Sequence, residues 1–147
     1  MKFHVLTLFP DMVMQGLMTS ITGRAVQQKK IDIDAVNIRD YTQDKHGRVD
    51  DYPYGGGAGM VLMAQPYVDA YESIACCEKS ITVMLSPQGR PLDDALVNEL
   101  AGYEQIVMMC GHYEGFDERI REIIKPLEIS IGDFVLTGGE LPALCLI

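Results

Sequence analysis

The chain predicts an α/β fold with a mostly parallel sheet flanked by helices, on three observations. From residue 64 onward helical and strand patterns take turns: helix over 64–75, strand 81–85, helix 92–101, strand 105–110, helix 116–124 and strand 127–131. The strand segments are short apolar runs of the kind that sit buried in a sheet. Each of the three leads into a glycine-bearing loop: SPQGRP at 86–91, CGHYEG at 110–115 and SIGDFVLTGGE at 130–140. In an open parallel sheet all strand C-termini lie along one edge, so these loops are expected to converge on one crevice and hold a small molecule largely in backbone.

The elements follow in chain order. Residues 2–9 (KFHVLTLF) are apolar and run into Pro10-Asp11, a strand followed by a helix start. Residues 12–18 continue as an apolar-rich helix, and 21–29 form a second. Residues 31–38 (IDIDAVNI) alternate with period two, so one face of this strand is less buried and it belongs at or near an edge. Residues 39–59 lack periodicity and end in Tyr54-Gly55-Gly56-Gly57-Ala58-Gly59, a mobile loop by composition and long enough to be functional. After the regular stretch, residues 140–147 open another helix, with Pro142 tolerated in its first turn. No Gly, Lys or Pro closes that helix, and the chain is therefore expected to be a fragment of a longer protein.

At 147 residues the chain is expected to form one domain that removes about 68–70% of its unfolded surface from water. Cys76, Cys77, Cys110 and Cys145 show no C-x-x-C spacing and suit a reducing, cytoplasmic setting. No apolar stretch approaches the eighteen or so residues of a membrane helix, so no membrane contact is expected. The net charge is −9, unevenly placed: residues 1–48 hold seven Lys/Arg against five Asp/Glu, residues 49–147 five against sixteen. Taken whole, such a chain is a poor nucleic-acid binder, and any RNA contact has to be local or lie outside it. Arg24, Lys29, Lys30, Arg39, Lys45 and Arg48 make up the one mildly basic stretch, which reads as a solvated face or as local phosphate contacts.

Ten of the fourteen glycines fall in four loops. A glycine in one loop is explained by a turn; the same design after three successive strands points to close approach of backbone to a ligand. None of the loops has the G-x-x-x-x-G-K-[ST] or G-x-G-x-x-G spacing, so a polyphosphate grip is not expected. His4, His46 and His112 form no metal-ligand pattern, no nucleophile–base pairing can be argued from spacing, and no metal is expected.

Five motifs now stand together: Leu8-Phe9-Pro10; YGGGAGM at 54–60; LSPQG at 85–89; CGHYEGFDER at 110–119; and IGDFVLTGGELP at 131–142. In order and spacing, over the whole chain, the set closely resembles bacterial tRNA (guanine-N1)-methyltransferase, of the knotted (SPOUT-type) methyltransferase superfamily. The resemblance implies a C-terminal deep trefoil knot, against the general rule that chains do not thread. It implies S-adenosyl-L-methionine as cofactor, a homodimer, and tRNA as partner, held mainly by a C-terminal tRNA-binding domain absent from this chain. The implied reaction moves the sulfonium methyl to N1 of the guanosine immediately 3′ of the anticodon. That nitrogen must lose a proton to a general base, and charge developing on the adjacent carbonyl needs a cationic or hydrogen-bonding partner. The resemblance puts the aspartate and arginine for these tasks beyond residue 147, so this chain is expected to bind cofactor without catalysing.

Carried over by resemblance, the cofactor contacts are Leu85, Ser86, Pro87 and Gly89 in the first loop and Gly111, Tyr113, Glu114 and Gly115 in the second. In the third they are Ile131, Gly132, Asp133, Phe134, Val135, Leu136, Gly138, Gly139 and Pro142, with Phe134 standing where the family commonly has tyrosine. Glu114 is the candidate catalytic residue, tolerating the sulfonium charge or orienting guanine; it reads alternatively as a carboxylate at a helix N-terminus. Asp50, Gly55, Gly56, Gly57 and Gly59 are assigned to the guanosine pocket or its lid, and Arg24 and Arg48 to phosphate. Arg119 is expected to pair with an acid on its own helix. Two rival readings remain open, a knotted methyltransferase acting on another RNA base and a non-catalytic nucleotide-binding module that dimerises.

Overall fold

In the computed structural model, which describes residues 1–147, β1 (Lys2–Thr7), β2 (Asp32–Asn37), the short β3 (Asp50–Asp51) and β4 (Val61–Leu62), β5 (Ser80–Pro91), β6 (Gln105–Cys110) and β7 (Leu127–Ser130) follow in chain order. Five of them make one sheet in the order β2-β1-β6-β5-β7 with every pairing parallel, while β3 and β4 form a separate antiparallel ribbon. β6 is buried at every residue and lies at the centre; β2, with Asp32 and Asp34 exposed around buried Ile33, lies at an edge as its alternation predicts.

Successive residues of a strand face opposite sides of the sheet, so each strand feeds two cores. On one side Phe3, Val5, Val83, Leu85, Ile106, Met108 and Ile129 meet Val13 and Leu17 of α1 (Pro10–Leu17), Val26 of α2 (Ser20–Gln27) and, from later helices, Leu96, Leu100 and Ala143. On the other, Leu6, Met84, Val107 and Met109 meet Tyr67 and Ala70 of α3 (Ala64–Glu72) and Ile120. Leu96 and Leu100 lie on α4 (Asp94–Leu100), Ile120 on α5 (Glu118–Ile124) and Ala143 on α6 (Glu140–Leu146). Two helix starts fall two residues later than the sequence pattern suggests because an aspartate caps each. Asp93 Oδ1 accepts from the Leu96 amide at 2.8 Å, and Asp117 Oδ1 from the Arg119 amide at 3.0 Å.

Two expectations are corrected. Residues 39–59 are not one mobile loop: a 3-10 turn covers Ile38–Tyr41, Val49 is fully buried, and Asp50–Asp51 pairs with Val61–Leu62. Periodicity fails there because the segment is organised by side-chain-to-backbone bonds, as when Asp44 Oδ1 accepts from the amides of His46 and Arg48. The first loop also does not simply leave a strand ending at residue 85. β5 continues to Pro91, and Ile129 of β7 is the register partner of both Leu85 and Arg90, with residues 86–89 arching between. Gly89 is required at that crossing, since a Cβ there would lie 2.7 Å from the Ile129 carbonyl carbon.

His4 on β1 donates its Nδ1–H to Asp34 Oδ2 at 3.1 Å and leaves Nε2 buried without a partner. Burial holds its pKa below the usual 6.5, helped by the charge of Lys2 and opposed by Asp34. Because the folded value is the lower one, the unfolded chain takes the proton first as pH falls. The contribution of neutral His4 is full above about pH 6.5 and is lost as pH falls through the folded value. The urea midpoint is expected to drop as pH falls below about 6.5, and His4→Leu to flatten that slope; equal slopes in both chains would assign the acid sensitivity elsewhere.

Candidate functional site

The ends of β5, β6 and β7 open into one cleft of about 480 Å³. Of the residues that the resemblance assigns to a cofactor, Leu85, Ser86, Pro87, Gly111, Tyr113, Glu114, Gly115, Ile131, Gly132, Phe134, Val135, Leu136, Gly138, Gly139 and Pro142 line it. Two do not: Gly89 packs on the β7 backbone, and Asp133 is an exposed residue of the third loop outside the lining. Gln88, His112, Phe116, Arg121, Ile129, Ser130 and Thr137 complete the lining, and the resemblance assigns none of them to the cofactor. Most sit inside the quoted motifs, so contiguity could have found them. Arg121 could not be found that way, because its direction depends on where α5 begins.

Local geometry explains the shape. Tyr113 (φ 59°) and Gly115 (φ 118°) turn the second loop through left-handed conformations, closed by the Gly115 amide donating to His112 O at 3.1 Å. In the third loop Ser130 Oγ donates to Gly132 O at 2.9 Å and accepts from the Gly132 amide at 3.2 Å. The two loops are joined where the Gly139 amide donates to Gly111 O at 2.9 Å. Beneath them Glu140, 2% exposed, accepts from Thr7 Oγ1 at 2.6 Å, tying the start of α6 to the end of β1.

Only two ionisable carboxylate or guanidinium groups line the cleft, Glu114 and Arg121. Arg121 is already engaged, with Nη1 donating to Glu118 Oε2 at 2.8 Å and Nε to Glu128 Oε1 at 3.0 Å. Burial works against its charge, but these two acids outweigh it and raise its pKa. Glu114 has no such cation partner, and it lies three residues before the Asp117 cap of α5, whose first-turn acid is Glu118. The helix-terminal reading of Glu114 is thereby corrected.

The residues assigned to guanosine and phosphate, Asp50, Gly55, Gly56, Gly57, Gly59, Arg24 and Arg48, lie outside the cleft lining. One touches it: a Cβ at Gly59 would sit 2.7 Å from Glu114 Oε1. The chain after Gly59 is stitched to the second loop, the Glu114 amide donating to Met60 O, the Leu62 amide to Gly115 O and the Asp117 amide to Leu62 O, each at 2.9 Å. Arg119 pairs with an acid, but with the cap residue Asp117 rather than one on the helix surface, and its guanidinium also lies 5.4 Å from the Tyr54 ring centre with Nη2 donating to Tyr54 Oη at 3.3 Å. The Arg119 side chain holds the Asp117 carboxyl below the ordinary carboxylate range.

A five-stranded parallel sheet with a backbone-rich cleft at its strand ends defines an α/β protein of the open-sheet class. The model of the family described as tRNA (Guanine-1)-methyltransferase TrmD matches residues 1–147, and the chain belongs to that family. A tRNA (guanine-N(1)-)-methyltransferase of Ruminiclostridium cellulolyticum is 54% identical, with 100% of this chain and 64% of the relative covered. One from Synechocystis is 49% identical, covering 100% and 63%. The crystal structure of tRNA (m1G37) methyltransferase from Aquifex aeolicus superposes with a TM-score of 0.89 at 39% identity, covering 99% of this chain and 66% of that one. The chain thus spans roughly three-fifths to two-thirds of the length of these relatives. None of its helices is long and apolar enough to cross a membrane.

Proposed function

We propose that residues 1–147 form the S-adenosyl-L-methionine-binding domain of a cytoplasmic tRNA methyltransferase acting on N1 of the guanosine 3′ of the anticodon. The observation that carries the cofactor reading is the charge of the cleft. Its one cation, Arg121, is neutralised by two acids, while Glu114 is a carboxylate without a cation partner. Such a site suits a ligand that carries positive charge and no polyphosphate, as a sulfonium nucleoside does. The residues fit the group in shape as well. Backbone of 131–136 is available for an adenine edge, Leu136 for apolar contact, and the Gly138-Gly139 turn leaves no room for a side chain.

When bound, the cofactor would be held by the backbone of 131–136, Leu136 and Glu114 and would supply an electrophilic methyl for N1 of guanosine, whose proton a base would take. In this reading the chain's own task is binding, and the base, its arginine partner and most tRNA contacts belong to further sequence. The knotted path that the resemblance implies for the C-terminal part belongs to the same reading. Exposed Phe9, Met12, Val135 and Leu141 support a homodimer whose interface adjoins the cleft. Calorimetric titration with S-adenosylmethionine is expected to show one saturable site per chain and no methyl transfer to tRNA by the chain alone. A folded chain that does not bind would sink the cofactor reading.

A further inference from the structure

We propose that Tyr54 is a positioning residue for Glu114, acting through a latch with Arg119 that holds the 55–59 flap against the Glu114 carboxylate. The inference rests on the cofactor reading given above for what Glu114 meets, but its geometry stands apart from that reading. The flap is four glycines and an alanine; Gly55, Gly56, Gly57 and Gly59 all have positive φ, and nothing lies within 4 Å of where Cβ atoms of Gly55 and Gly56 would be. Apart from Gly59 against Glu114 and the turn closed on Pro53, such a segment has little packing of its own, so its position is set chiefly at its two ends. One end is the backbone ladder from Met60 and Leu62 to residues 114–117. The other is Tyr54, an 84% exposed residue in a turn closed by the Gly56 amide donating to Pro53 O at 3.1 Å, whose side chain is met by the Arg119 guanidinium over its face and at its hydroxyl.

Arg119 is itself fixed by Asp117, the cap of α5, so the latch is anchored on a helix rather than on another loop. Between the two ends Gly59 lies against the Glu114 side chain, closely enough that any side chain at 59 would displace it. Losing the latch therefore frees the flap on one side and gives the carboxylate room to swing away from the cleft. Tyr54 touches neither the cleft nor Glu114, so its effect is indirect.

The discriminating readout is charge selectivity, measured as the affinity ratio of S-adenosylmethionine, which carries the sulfonium charge, to S-adenosylhomocysteine, which does not. Glu114→Gln is expected to lower that ratio about two- to fivefold, the range of a partly solvated ion pair. Tyr54→Ala and Arg119→Ala should lower it similarly, Tyr54→Phe less because the ring face is kept, and Tyr54→Ala with Glu114→Gln no further than Glu114→Gln alone. A merely structural loss would weaken both ligands alike. A ratio unchanged by Tyr54→Ala but lowered by Glu114→Gln would overturn the proposal. A ligand-free arm keeps it testable should the cofactor reading fail: hydrogen exchange at the Glu114 amide, bonded to Met60, is expected to quicken in Tyr54→Ala, and unchanged exchange there would overturn the latch.

Discussion

Gly138→Val is expected to weaken S-adenosylmethionine binding by at least about a hundredfold, an effect of roughly 2.7 kcal/mol or more. Gly138 lines the cleft, and a Cβ there would run into the Glu140 carboxylate and come within 2.9 Å of the His112 ring. A flexible acid could yield, but Glu140 is buried and bonded to Thr7, and His112 is packed against Phe9 with ring centres 5.1 Å apart. With both neighbours fixed, the third loop has to move, and it carries residues 131–136 with it. Titration calorimetry gives the affinity, and circular dichroism separates a blocked cleft from a lost fold. Gly138→Ala should fall between parent and valine. Near-parental affinity in a folded valine variant would move the ligand away from the third loop.

The largest effect on stability is expected at Tyr67. Its side chain is fully buried, stands edge-on to Phe116 with ring centres 5.1 Å apart, and donates its hydroxyl toward Leu6 O (3.3 Å) and Cys110 O (3.2 Å) at the ends of β1 and β6. Tyr67→Ala combines lost burial with a cavity in the second core and should cost about 3–5 kcal/mol. Tyr67→Phe keeps the packing and removes the shared hydrogen bond, for about 1 kcal/mol. Urea midpoints of the two variants measure the difference. An alanine variant no weaker than the phenylalanine one would show that the core closes over the gap.

What the sequence discloses about this fold depends on whether burial or pairing organises a segment. Residues 106–110, after Gln105, are apolar without interruption, and the strand found over 105–110 has the predicted bounds, because burial on both faces leaves nothing else for such a run to do. The acids alternating through 31–38 likewise mark the edge strand. Residues 86–91 contain two prolines, a glycine and an arginine, which read as a loop. Their strand character comes from Ile129 and Ser130, some forty positions away, and no local pattern carries that. The cleft was legible to the extent that it is built from contiguous loops. The seat of Gly89 on β7 and the approach of Gly59 to Glu114 were not, since both arise from segments meeting in space.

The sheet order also has a consequence for synthesis on the ribosome. β1 emerges first and gains β2 within about thirty residues, but its other edge waits for β6, and Thr7 waits for Glu140. At about 5–20 residues per second, that edge of a six-residue strand, buried from Phe3 to Thr7 in the folded chain, stays open for several seconds after β2 has formed. During this interval the newborn chain presents one unpaired strand edge to its neighbours. Its vulnerability to aggregation is therefore expected to peak during translation, before the central strand arrives, rather than in the finished protein.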